Sequence, residues 1–98
     1  MIVRESHTFT EDAVLDGRVR LRQPLDGYRA GVDAALLAAA CDAKPGERVI
    51  DVGCGVGAAL LAAAARRPDC VFTGVERDDT AREFAAQNIA LNSLGGRV

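Results

Sequence analysis

The sequence predicts an α/β fold: a parallel β-α-β core with a β-hairpin ahead of it. Three stretches carry that expectation. Val49-Ile50-Asp51-Val52 runs into Gly53-Cys54-Gly55-Val56-Gly57, which reads as a short buried strand, a glycine-rich turn and the start of an alanine-rich helix. Cys70-Val71-Phe72-Thr73-Gly74-Val75-Glu76 is a second strand, rich in β-formers. Arg18-Val19-Arg20-Leu21-Arg22 alternates strictly behind an Asp16-Gly17 turn signal.

In chain order, residues 1–12 carry little signal. Ala13-Val14-Leu15, Asp16-Gly17 and Arg18 to Arg22 form the expected hairpin, because both turn residues tolerate positive φ. Val19, Leu21 and Gln23 share one face of the second strand, and Arg18, Arg20 and Arg22 share the other. That arginine row is either a solvated face or a strip that meets phosphates, since like charges in a row repel unless an anion faces them. Gln23 to Gly31 reads as loop, with Pro24 and Gly27 as turn residues and Tyr28 as either a lid over the core or a wall of the pocket. Val32 to Asp42 is a helix, apolar nearly all round and so expected to be largely buried. Asp33 in its first turn suits the helix dipole. The strand 48–52 follows, central and buried in expectation. The next helix runs from about Ala58 to Arg67, where Pro68 stops it. A last helix starts at Asp78-Asp79-Thr80, with Thr80 and Glu83 at capping-box spacing, and ends at Asn92-Ser93 and Gly95-Gly96. Arg97-Val98 reads as the opening of a third strand.

Composition narrows the classes. A chain of 98 residues is one domain or less. Hydrophobic residues make up 49% but aromatics only 4%, so the core is one of small side chains. A net charge of -2 gives no global pull toward nucleic acid or an anionic membrane. Cys41, Cys54 and Cys70 lack C-x-x-C spacing and His7 is the one histidine, which argues against a zinc site and against a disulfide framework. The same cysteine pattern fits a reducing cytoplasm. No basic start leads into an apolar run and no stretch of about 20 apolar residues exists, so no signal peptide and no membrane span are expected. Two parallel strands and a hairpin are thin for independent stability. The chain is therefore expected to associate with something or to be the front part of a longer protein.

The chemistry gathers at the ends of the two parallel strands. A right-handed crossover sets them side by side. The glycine turn then lies beside Glu76, whose carboxylate can accept hydrogen bonds from the two hydroxyls of a ribose. Gly53-Cys54-Gly55-Val56-Gly57-Ala58 also fits the dinucleotide pattern G-x-G-x-x-A. Asp51 disfavours that rival, because it would meet an incoming pyrophosphate with negative charge. No phosphate-binding lysine or serine follows, which removes the P-loop reading. An acid at position 51 suits a cofactor with a cationic part, such as S-adenosylmethionine.

Asp51-Val52-Gly53-Cys54-Gly55-Val56-Gly57 resembles the first signature motif of class I S-adenosylmethionine-dependent methyltransferases, and Val75-Glu76-Arg77 resembles their second. Arg18 to Pro24, Asp26-Gly27-Tyr28-Arg29, Asp33 to Ala38 and Asn88-Ile89-Ala90-Leu91-Asn92 are similar to the amino-terminal region of the tRNA adenine-N6 methyltransferases that act beside the anticodon of a valine tRNA. The resemblance implies a Rossmann-like fold, here incomplete. Residues 1–30 would be a hairpin and loop, and residues 31–98 the first part of the cofactor-binding domain. It implies S-adenosyl-L-methionine as cofactor and tRNA as the substrate. Glu76 would hold the ribose, Gly53 and Gly55 would line the methionine part with Asp51 nearby, and Arg77 would lie against the adenine. Gln23, Tyr28 and Asp33 would form the near wall, and Cys54 and Gly57 complete the candidate set.

One departure matters. The Asn/Asp-Pro-Pro-Tyr/Phe motif of that group, whose ring stacks on a flipped adenine, has no counterpart here, because Pro24, Pro45 and Pro68 each stand alone. The expectation is a cofactor-binding half with no catalytic residue and no metal ligand, inactive by itself. Two alternatives stay open: a methyltransferase of another substrate, such as a protein glutamine, and a non-catalytic module that holds cofactor or RNA.

Overall fold

A computed structural model of the chain describes residues 9–25 and 32–98. The elements are β1 (Phe9–Val14), β2 (Val19–Pro24), α1 (Val32–Ala40), β3 (Arg48–Val52), α2 (Ala58–Arg66), β4 (Val71–Val75) and α3 (Asp79–Leu91). β1 and β2 pair antiparallel, with Val14 opposite Val19 and Phe9 opposite Pro24. β3 and β4 pair parallel, with Asp51 opposite Gly74 and Val52 opposite Val75.

The hairpin turns at Asp16-Gly17 as its sequence predicts. Both have positive φ, 55° and 84°, and the Arg18 N–H donates to the Leu15 carbonyl at 3.1 Å. β1 begins at Phe9, inside the stretch that carries little local signal. What makes Phe9 to Asp12 a strand is the partner: each lies opposite a residue of β2 between Leu21 and Pro24. Val19 and Leu21 are fully buried and pack on Ala58 and Leu61 of α2. The hairpin is thereby seated against the helix that follows the glycine turn.

The other core cluster joins α2 to β4. Leu60, Ala63 and Ala64 pack with Ala38, Cys70 and Phe72. These side chains are small, so the helices approach closely and each contributes a modest area.

Three expectations are corrected here. The predicted buried character of α1 and β3 holds on one side only. Ala38 is buried, but Leu36 and Leu37 are exposed, as are Ile50 (64%) and Val52 (80%). Alternation explains it. Val49 and Asp51 of β3 face α1 and α2, and Ile50 and Val52 face the other way, where nothing among the described residues covers them. The third correction is the start of α3. Its N-cap is Asp78, not Thr80: the Asp78 carboxylate accepts the Ala81 N–H at 2.8 Å from an extended backbone. An aspartate caps as well as a threonine, and the earlier start lets Asp79 and Thr80 join the helix.

α3 ends in a Schellman arrangement. Ser93 (φ 58°) takes the left-handed position, its N–H donates to Ala90 O, and the Leu94 N–H donates to Ile89 O. The Arg97 carbonyl then accepts the Phe72 N–H at 2.7 Å, along the edge of β4 away from β3. The Arg97 guanidinium donates to the Cys70 carbonyl just before β4 and to the Ala64 and Arg67 carbonyls at the end of α2. A cation on those carbonyls satisfies groups the helix leaves open.

Candidate functional site

The turn after β3 is built from glycines for a reason visible in its dihedrals. Gly53, Gly55 and Gly57 all have positive φ, at 76°, 58° and 97°. Alternating left-handed residues wind the chain tightly enough for α2 to start at once. The Gly53 and Cys54 N–H groups both donate to the Val75 carbonyl, at 2.7 and 3.1 Å. The turn is therefore stitched to the end of the neighbouring strand. Close packing does the same at Gly74, where a Cβ would come within 2.7 Å of Cys54 Sγ and of Leu60.

Glu76 completes that stitch. Its carboxylate accepts the Gly55 N–H at 2.8 Å and the Asp78 N–H at 2.9 Å. The Asp78 and Gly55 amides hold the Glu76 carboxyl below the usual glutamate range. Asp51 is the opposite case. It is half-buried at the end of β3, and burial pushes its carboxyl up. Burial, and then the charges of Asp51 and Glu76, push the Cys54 thiol up. That environment disfavours the thiolate form of Cys54.

These residues surround a cleft of about 620 Å³, a size that suits a small-molecule cofactor. Asp51, Gly53, Cys54, Gly55 and Glu76 line it from the strand ends. Asp33, Ala34 and Leu37 line it from α1, Pro24 from the end of β2, and Asp78, Thr80 and Ala81 from the start of α3. Two carboxylates of different character thus meet a glycine turn between them. That set can accept hydroxyl hydrogen bonds at one end and hold a positive charge at the other.

Not every candidate enters the cleft. Gln23 is buried on the core face of β2, where its amide donates to Asp12 at 2.9 Å. It shares that face with Val19 and Leu21, so it points inward with them while its neighbour Pro24 lines the cleft. Arg77 is exposed and Gly57 is buried under Leu61 and Ala85, and neither is among the lining residues. Tyr28 lies outside the described residues. Reading the sequence missed Pro24, Asp78 and Thr80. The acidic pair Asp78-Asp79, separated by one residue from the strand-end glutamate, was the signal that could have found the second.

The arginine row has partners of its own. Glu11, across the hairpin, accepts from Arg20 and, at 3.2 Å, from Arg22 Nε. Arg22 and then Arg20 hold the Glu11 carboxyl low. Arg22 also lies 5.3 Å over the Phe9 ring and donates to Gln87. Arg18 donates to the Ala65 carbonyl at 3.1 Å. An anion does face the row, and it is the protein's own.

Among the described residues there is no group of three His, Cys, Asp or Glu side chains that could hold a metal ion, and no helix long and apolar enough to cross a membrane. Cys41, Cys54 and Cys70 are free thiols.

Residues 29–98 match the family model of the methyltransferase small domain. Among curated proteins, the chain is 31% identical over 78 residues to a tRNA1(Val) (adenine(37)-N6)-methyltransferase of a Flavobacteriaceae bacterium, covering 80% of this chain and 34% of that protein. It is 34% identical over 71 residues to the enzyme of the same name from Yersinia enterocolitica, covering 71% of this chain and 28% of that one. It thus spans about a third of the length of these curated relatives. Among solved structures, TYW2 of P. horikoshii in complex with MeSAdo superposes with a TM-score of 0.74 at 24% identity, covering 99% of this chain and 36% of that one. The fold is thus the Rossmann-like fold of class I methyltransferases, and the chain belongs to the methyltransferase small domain family.

Proposed function

We propose that the cleft binds S-adenosylmethionine and that the chain is the cofactor-holding part of an enzyme that methylates the N6 amino group of an adenine in tRNA. The observation that carries the cofactor assignment is the pairing of Glu76 with Asp51 across the glycine turn. Glu76, ionised and held by backbone amides, keeps acceptor capacity for the ribose hydroxyls. Asp51 meets the cationic methionine end, and Gly53 and Gly55 let that end approach the backbone. Asp33 contributes to the near wall from α1. S-adenosylmethionine supplies a methyl group on a sulfonium, and the residues of this chain bind and orient it. A protein of the same fold solved with MeSAdo supports the choice of ligand class.

The tRNA assignment rests on the names of the curated relatives. Residues 31–98 are the first part of the cofactor domain in this reading, and the hairpin is its RNA-facing extension. A cytoplasmic setting agrees with the free cysteines.

Calorimetric titration of the chain with S-adenosylmethionine and with NAD tests the cofactor. Binding of NAD alone would sink the assignment. A methylation assay on the complete reading frame, with tRNA against protein substrates, tests the substrate. In that protein, replacing Arg18, Arg20 and Arg22 together should weaken tRNA binding and flatten its salt dependence. An unchanged salt slope would return the row to a plain surface.

A further inference from the structure

Asn88 of α3 and Asn92, which caps that helix, stand one helical turn apart, so their amides face the same way. They meet the free edge of β2. The Arg22 N–H donates to Asn88 Oδ1 at 2.7 Å and Asn88 Nδ2 donates to the Arg22 carbonyl at 3.0 Å. The Arg20 N–H donates to Asn92 Oδ1 at 2.7 Å and Asn92 Nδ2 donates to the Arg20 carbonyl at 2.6 Å. Four residues of helix rise about 6 Å and two residues of strand about 6.7 Å. The near match lets the two side chains act as a strand beside β2.

The two asparagines differ in their remaining proton. Asn92 Nδ2 gives it to the Asn88 carbonyl of its own helix, at 2.7 Å. Asn88 Nδ2 gives it to the carbonyl of Val56, in the glycine turn, at 2.9 Å. Asn88 is fully buried, and one amide joins α3, β2 and the turn. Val56 sits between Gly55 and Gly57, the residues with least resistance to rearrangement.

We propose that Asn88 is a positioning residue for the glycine turn: it fixes the Val56 carbonyl against the hairpin and so holds the cleft open in its binding shape. The ligand side of this role rests on the cofactor reading above. The turn-holding side does not. Removing the amide leaves the Val56 carbonyl and both Arg22 backbone groups without this partner. Removing Asn92 frees only the exposed Arg20 groups, which water can satisfy, and the Asn88 carbonyl.

The experiment compares Asn88→Ala with Asn92→Ala in the 98-residue chain, both of which loosen the hairpin. Asn88→Asp replaces the alanine variant if that one does not fold, since it keeps the volume and the acceptor but loses both donors. Amide hydrogen exchange at Gly55 and Gly57 should speed up about tenfold more in the Asn88 variant than in Asn92→Ala. The Kd for S-adenosylmethionine should rise about tenfold in the Asn88 variant and hold within about twofold in Asn92→Ala. Equal exchange in the two variants would overturn the proposal. If the parent chain does not bind S-adenosylmethionine, the cofactor reading fails and the exchange comparison still decides the role of Asn88.

Discussion

Glu76 Oε1 accepts the Gly55 N–H at 2.8 Å, so the acid at the end of β4 and the glycine turn at the end of β3 are one unit. The same carboxylate accepts the Asp78 N–H at the entrance to α3. A side chain read from its place at a strand end as a ribose ligand therefore has a second task before any ligand arrives. It fixes the loop that the ligand must enter.

That double duty separates two substitutions. Glu76→Gln keeps an acceptor for the Gly55 N–H but loses the charge, and Glu76→Ala loses both. The expected order of S-adenosylmethionine affinity is wild type, then Gln, then Ala, with the alanine variant weaker by at least about tenfold. Calorimetric titration checks the order. Equal affinities for the two variants would mean that the contact with Gly55 contributes nothing to binding.

Asp51 and Glu76, two of the carboxylates that line the cleft, should titrate apart. Glu76 is held low, so the stability it contributes is present at neutral pH and is lost only as pH falls through that lowered value. Asp51 is pushed up by burial, so its charge costs stability at neutral pH, and the cost disappears as pH falls through its raised value. A cationic ligand needs Asp51 ionised. Affinity for S-adenosylmethionine should therefore begin to fall on acidification at a pH where Glu76 is still charged. Asp51→Asn should bind more weakly at neutral pH, lose that upper part of the pH profile, and melt no lower than wild type. A pH profile that keeps its shape in Asp51→Asn would remove Asp51 from contact with the ligand's charge.

The bare side of the parallel sheet predicts association. Ile50 and Val52 of β3 and Val71 and Val75 of β4 are each at least half exposed on one face. Parallel sheets are ordinarily covered on both faces. The isolated chain should show a concentration-dependent apparent mass in analytical ultracentrifugation. Ile50→Thr with Val71→Thr keeps β-branched side chains and should shift the chain toward monomer, at a stability cost within about 0.5 kcal/mol per site. A parent chain that stays monomeric at every concentration would refute this.

Much of the site was readable because its determinants are local. Gly53, Gly55 and Gly57 signal a turn by type, and the dihedrals bear that out. Asp16-Gly17 predicts a hairpin turn of the form found, and Pro68 marks the region where α2 ends. The alternation in β2 correctly placed Gln23 with Val19 and Leu21.

What the sequence alone determined was backbone preference and the order of the chemistry: which segments wind, which extend, and that a glycine turn and an acid close consecutive parallel strands. Those follow from residue types a few positions apart. Only the tertiary structure decided which side of β3 is covered, because periodicity separates two faces without saying what lies against either. It alone decided the partner of Asn88, whose amide reaches Arg22 across 66 residues and Val56 across 32. A polar residue on an amphipathic helix reads as surface until packing buries it, and its hydrogen bonds are then set by whichever backbone groups that packing leaves open.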